Sequence, residues 1–368
     1  MRTSLMRPSS RRGFTLVELM IVIAIIGVLV TILAVALGPI LLKGPEMVTR
    51  NEINQLGIAL ESFKAQFGFY PPSMFALCEN QADYQARPSN PLFQDSSYYL
   101  LKMFPRLSSN PAWTGSPPGN FIDWNQDTQY TGFRILTGDQ CLVFFLGGIQ
   151  TKTGNVRACN GFSTNPSMPI PAANATTYGP YFEFKSDRLV ECPRTAKGVI
   201  DTSNAGDGSN GYFSYLDGYK QIVPPPRLDP NVTASNFFAV YAYFSSGRRR
   251  NGYNAYAALG ISDCAFLPAF DGQSTTKPVA GVYPYQQAPP TSGNYNYHNP
   301  NTYQIISPGK DGIFAVGSPV PGPPVLNPNG FYWTPASAAN VPVCPATAGL
   351  GDGRDDITNF NATLLGKQ

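Results

Sequence analysis

Residues 11–19 read Arg11-Arg12-Gly13-Phe14-Thr15-Leu16-Val17-Glu18-Leu19, and the apolar run that opens at Phe14 continues to Leu42 with a single charged residue inside it, Glu18. That run exceeds the roughly 20 apolar residues a helix needs to cross a bilayer. On its N-terminal side, residues 1–13 carry Arg2, Arg7, Arg11 and Arg12 and no acid. Basic residues are retained on the cytoplasmic face, so the asymmetry predicts one pass, with the N-terminus cytoplasmic and everything after Leu42 outside.

Three processing readings compete for this segment. A secretory signal has a short apolar core and a small-x-small cut site, which Ala34-Val35-Ala36 offers. A plain signal-anchor needs no cut. Neither accounts for a glycine at the cytoplasmic edge of the run followed by an acid just inside it. An acid at mid-membrane costs about 2.5–3.5 kcal/mol on insertion scales, so Glu18 calls for a partner or for hydration near the headgroups.

The stretch from Arg11 to Leu19, with Met20-Ile21-Val22-Ile23-Ala24-Ile25-Ile26-Gly27-Val28-Leu29 after it, resembles the leader and helix of type IV pilins and type II secretion pseudopilins. The resemblance implies a prepilin peptidase that cuts between Gly13 and Phe14 and N-methylates Phe14. It implies that Glu18 serves assembly by pairing with the Phe14 ammonium of a neighbouring subunit. The partners implied are the prepilin peptidase, other pseudopilins in a homo- or hetero-oligomer, and an inner-membrane assembly platform. The location implied is the bacterial inner membrane, with a periplasmic head and later a periplasmic or surface filament.

Beyond the membrane the helical pattern continues. Gly38-Pro39 is a candidate kink or unwound turn, since proline removes a backbone donor and clashes with the preceding turn. Ile53, Leu56, Leu60, Phe63 and Phe67 recur at three- and four-residue spacing, an apolar stripe for packing on a sheet. Asn51, Glu52, Gln55, Glu61, Lys64 and Gln66 fill the polar face. Gly68 and Pro71-Pro72 end the element, and Gly68-Phe69-Tyr70-Pro71-Pro72 resembles the turn closing the long helix of major pseudopilins. The chain divides into a leader (1–13), a transmembrane and assembly helix (14–42), its amphipathic continuation (43–67) and a β-rich head (68–368). The fold class is α+β and pilin-like: a long N-terminal membrane-spanning helix packed on an antiparallel β-sheet, with an enlarged loop-rich head.

For the head, 35 glycines, 35 prolines and 12% aromatics predict short strands between shaped turns. Leu142–Leu146 and the alternating Tyr181-Phe182-Glu183-Phe184 are strand-like, and 201–211 is an Asp/Asn/Ser/Gly surface turn. Phe237–Phe244 and Tyr253–Leu259 flank a basic tip, Arg248-Arg249-Arg250, in the pattern of a β-hairpin. The six cysteines, Cys78, Cys141, Cys159, Cys192, Cys264 and Cys344, all follow the apolar run without Cys-x-x-Cys spacing. That favours disulfides in an oxidising compartment, with buried thiols as the alternative.

At the C-terminus, Gln304-Ile305-Ile306-Ser307-Pro308-Gly309-Lys310-Asp311-Gly312 and 351–360 place oxygen-bearing side chains on turns, which suits a hard cation. The pair resembles the calcium loop of the major pseudopilin, and on that resemblance Asp311, Asp355 and Asp356 are ligands assisted by Ser307. The departure is the length between the runs, because residues 313–350 replace a short loop.

Charged residues make up 13% and the net charge is +3, so a nucleic-acid partner is not expected. His298 is the sole histidine, and neither a His-Glu-x-x-His nor a Gly-x-Ser-x-Gly occurs, so no catalytic residue is assigned. The first reading is a structural pseudopilin acting in protein secretion. The alternative is a type IV pilus subunit or minor tip adhesin. A membrane-anchored glycan-active enzyme using carboxylates ranks last.

Overall fold

The computed structural model describes residues 15–191, 211–220, 222–223, 237–253, 255–256, 263–270, 278–282, 284–291, 294–310, 312, 314–315, 325–326, 332–333 and 356–360. Two compact units are present, Met1–Met47 and Val48–Gln368, so the second half of the long helix belongs with the head.

One helix runs from Leu16 to Phe67. It passes Gly38-Pro39 without a break, so the unwound turn expected there does not form. Its 18-residue window Leu16–Leu33 has no side chain buried within the chain. A helix apolar on every side and covered by none of the described residues calls for lipid or other helices around it.

From Val48 onward the same helix is amphipathic in fact as well as in pattern. Ile53, Leu56, Ala59, Leu60, Phe63 and Phe67 are buried in the main core. Phe63 stands edge-on to Phe145 and Tyr181, with ring centroids 5.8 and 5.6 Å away. Full burial of a side chain of this size contributes about 1.5–3 kcal/mol. Gly68 ends the helix at φ +78°, its N–H donating to the Lys64 carbonyl at 2.7 Å. Positive φ of that kind is the αL position where glycine has no Cβ penalty.

The head carries small sheets, nearly all antiparallel among the described residues. Ala242–Ser245, Tyr303–Ser307 and Ile357–Thr358 form one, in that spatial order, with Ala242 opposite Ile306 and Ser307 opposite Ile357. Phe75–Cys78 pairs with Phe133–Leu136, and Leu189–Val190 with Ser214–Tyr215. Cys264–Phe270 joins Pro278–Val282 antiparallel and Phe314–Ala315 in parallel.

Two local expectations, for Leu142–Leu146 and for Tyr181–Phe184, are corrected. Leu142–Leu146 lies in a helix, Gly138–Gly147, buried at every position. A run apolar on all sides has no period to read, and here Thr137 at the N-cap and Gly148 at φ +84° set helical limits. Of the hairpin expected across the basic tip, the second arm Tyr253–Leu259 lies largely outside the described residues, and the first arm takes a non-local partner. Ala242–Ser245 takes its ladder from Tyr303–Ser307, while Ser246 and Asn251 donate backbone bonds to Thr302 and Pro300 at 2.9 and 2.7 Å. That non-local strand is buried at all five positions. Tyr181–Phe184 alternates in burial as a strand does but joins no ladder among the described residues.

Candidate functional site

The first turn of the long helix holds the acid singled out above. Thr15 immediately precedes Leu16, and Glu18 stands three residues after it. The Thr15 backbone N–H and Oγ1 both donate to Glu18 Oε2 at 2.8 Å, and the Glu18 N–H returns a bond to Thr15 Oγ1 at 3.2 Å. This reciprocal Thr-x-x-Glu arrangement satisfies helix N-terminal donors that have no intrahelical acceptor. The carboxylate is therefore held by its own subunit. Gly13 and Phe14 lie outside the described residues.

A second acid of the helix behaves differently. Glu52, expected on the polar face, is 6% exposed, and Arg188 against it is 1% exposed. Arg188 Nη1 and Nη2 both bond the carboxylate, the latter at 2.6 Å, while Tyr241 Oη donates to Glu52 Oε2 at 2.8 Å. Arg188 Nε also donates to the Leu216 carbonyl at 3.1 Å. Burial is the largest single influence and works against the guanidinium charge, but the bond to Glu52 and the electrostatics of Tyr215, Glu52 and Tyr241 together outweigh it and raise the pKa of Arg188. Nothing local in the sequence marks this pair, because its members stand 136 positions apart.

Of the four proposed cation ligands, Asp311 and Asp355 lie outside the described residues. Ser307 and Asp356 are described, fully buried, and brought together by the pairing of Ser307 with Ile357. Each already has a protein partner. Ser307 Oγ donates to Asp217 Oδ2 at 2.6 Å, and Tyr285 Oη donates to Asp356 Oδ2 at 2.7 Å. Asp217 also accepts from the Tyr219 N–H at 3.0 Å. Burial pushes its pKa up to about 7, against the lowering effect of the Ser307 bond. In the sequence Asp217-Gly218 reads as an ordinary turn dipeptide, and nothing there points to this acid. No group of three or more His, Cys, Asp or Glu side chains suited to a metal occurs among the described residues.

The Asp123-x-Asn125-x-Asp127 turn is also rich in oxygen, but its carboxylates are engaged by backbone. Asp123 accepts from the N–H groups of Asp127 and Thr128 at 3.1 and 2.9 Å, and Asp127 from that of Gln129 at 2.7 Å. The expected turn over 201–210 lies outside the described residues. Arg248 to Arg250 do form an exposed turn, where Arg248 lies 3.7 Å from Asp95 and 4.1 Å from the Tyr98 ring centre.

No disulfide joins the four described cysteines; Cys78, Cys141 and Cys264 are buried and Cys159 is half-buried. They pack as small apolar side chains, and burial raises the thiol pKa of Cys159 to about 12. Cys192 and Cys344 lie outside the described residues.

Residues 8–34 match the family described as the prokaryotic N-terminal methylation motif. The chain is type IV pilin-like at its N-terminus. The motif spans Gly13, Phe14 and Glu18 and coincides with the uncovered apolar helix, which fits a single-pass inner-membrane anchor of a pilin-like subunit. It implies processing by prepilin peptidase and polymerisation into pilus-like filaments. No curated protein and no solved structure matches the chain.

Proposed function

We propose that this pilin-like chain is a pseudopilin of a type II secretion-like machine, cut between Gly13 and Phe14 and polymerised through its N-terminal helix. Its role is structural: the periplasmic head is carried on a rod that other subunits cover. The observation that supports this most is the helix Leu16–Leu33, wholly uncovered and interrupted by the one acid Glu18, under a methylation-motif match. Cleavage creates an ammonium at Phe14, one residue from the Thr15–Glu18 cap. In a low-dielectric rod, pairing of Glu18 with that ammonium on a neighbouring subunit neutralises both charges and fixes axial register.

Co-expression with a prepilin peptidase and a type II inner-membrane platform tests the reading. Glu18→Ala is expected to insert and to be cleaved normally but to give no sheared fibres. Normal fibres from that variant would remove Glu18 from assembly, and fibres that form only with a pilus platform would favour the pilus reading.

The secretion assignment includes a structural calcium ion at Asp311, Asp355 and Asp356, assisted by Ser307. The support is the strand register that sets Ser307 opposite Ile357, the neighbour of Asp356, and the burial of Asp356. Carboxylate and hydroxyl oxygens are the donors calcium takes. Bound calcium would hold these two chain segments together and stabilise the head by mass action. Titration calorimetry with calcium, with melting measured with and without it, is expected to show uptake and a rise in melting temperature; absence of both removes the ion.

A further inference from the structure

A groove of about 770 Å³ runs along the head, between the solvent-facing side of the long helix and residues 181–186. On the helix wall, Val48 and Ile58 are 46% and 68% exposed, with Asn51 and Gln55 between them. The opposite wall is unusual in that all six consecutive residues of 181–186 border the groove. Side chains of an extended segment alternate in direction, so consecutive residues share one groove only if the edge of the backbone faces it. The alternation is visible: Phe182 and Phe184 are buried, Glu183 and Lys185 exposed. Among the described residues the backbone N–H and C=O groups of Phe182, Glu183 and Phe184 have no hydrogen-bond partner.

An independent feature lies at the base. Tyr215 is 1% exposed, and its ring is fixed by Phe184 at 5.0 Å, Phe182 at 5.8 Å and the Arg188 guanidinium at 4.4 Å. Its hydroxyl has no hydrogen-bond partner. Buried polar groups are nearly always paired, so a hydroxyl without an acceptor at a groove floor marks a place where one enters. The rim adds charge of both signs, with Glu183 and Lys185 two residues apart on one face of the segment.

We propose that this groove binds an extended peptide segment of a partner protein by strand addition along Phe182–Phe184. The partner's backbone pairs with the open edge, and one of its carbonyls accepts from the Tyr215 hydroxyl. Main-chain bonding supplies affinity in this mode, and alternate side chains supply selectivity. An antiparallel entrant reading apolar-Glu-apolar-Lys-apolar sets its Glu opposite Lys185 and its Lys opposite Glu183, the opposite-charge arrangement that favours cross-strand pairing. This proposal is independent of the secretion assignment and of calcium.

The test uses the full chain in detergent micelles and a fluorescein-labelled peptide, Thr-Val-Glu-Val-Lys-Val-Thr, followed by anisotropy. Saturable binding is expected, at least tenfold weaker when the amides of the peptide's pairing edge are N-methylated. Tyr215→Phe is expected to weaken binding several-fold without lowering the melting temperature, since the hydroxyl has no internal acceptor to lose. The proposal is overturned by absence of saturable binding, by equal affinity of the N-methylated peptide, or by a Tyr215→Phe protein that melts earlier yet binds unchanged.

Discussion

The two halves of the helix Leu16–Phe67 carry one glutamate each near their starts, and the two are held in opposite ways. Glu18 is bonded by Thr15 within its own turn, in the window Leu16–Leu33, where no side chain is buried within the described chain. Glu52 is clamped by Arg188 and Tyr241, 136 and 189 positions away, in a half that builds the core of the head. A carboxylate with only local partners can exchange them for a new one at little cost. One closed in by distant partners commits the surrounding fold. The first half is thus suited to change its neighbours during assembly, and the second to keep them.

The largest expected effect breaks the committed half. Arg188→Leu leaves Glu52 charged and buried without its cation, which costs about 3–5 kcal/mol. Thermal denaturation of the variant is expected to show a head that is partly unfolded at growth temperature. Combining it with Glu52→Leu is expected to restore much of the loss. If Arg188→Leu melts like the parent, the clamp has no structural weight.

A matched pair of truncations sharpens the contrast. Leu60→Ala empties a fully buried site and is expected to cost about 3 kcal/mol. Ile25→Ala, at a position 54% exposed, is expected to leave head stability within about 0.5 kcal/mol of the parent. Equal effects at the two sites would erase the distinction between the halves.

How far this contrast is legible in the sequence depends on whether the forces are local. The stripe from Ile53 to Phe67, the Gly68 stop and the uncovered apolar run follow from periodicity and composition, which neighbouring residues determine. The polar pattern of 51, 52 and 55 puts Glu52 on the polar face. Its burial depends instead on Arg188, whose position is set by a 3-10 turn at Ser186–Arg188. Leu142–Leu146 fits a strand or a buried helix equally well by hydrophobicity alone. The strand at 242–245 reads as a hairpin arm because its true partner, 303–307, lies some sixty residues on. At the site, the Thr15–Glu18 spacing is open to reading as a helix cap, whereas Asp217 carries no signal beyond a turn dipeptide.

Asp217 gives a pH test of the head alone. Its pKa in the fold is raised to about 7, against about 3.9 in an unfolded chain. Between those values the folded state binds the proton more tightly, so this group makes stability fall as pH rises from about 4 to about 7, and adds no slope above that. The change is on the order of 2 kcal/mol after relaxation of the site. Asp217→Asn is expected to flatten melting temperature over this interval and to leave the bare helix half unaffected. An unchanged slope would mean that other groups carry it.

The smallest effect belongs to the exchangeable half. Thr15→Ala removes a helix cap and is expected to cost the first turn about 1 kcal/mol or less, leaving the melting of the head unchanged. Circular dichroism of the excised helix in micelles, compared with melting of the whole chain, would detect it. A destabilised head in that variant would show that the two halves are coupled.

The most direct measurement is the intact mass and N-terminal sequence of the protein recovered after co-expression with a prepilin peptidase. The account predicts a chain that begins at N-methylated Phe14 and retains Glu18. A mature chain that begins at Met1, at Leu37 after the Ala34-Val35-Ala36 site, or anywhere other than Phe14 would contradict it.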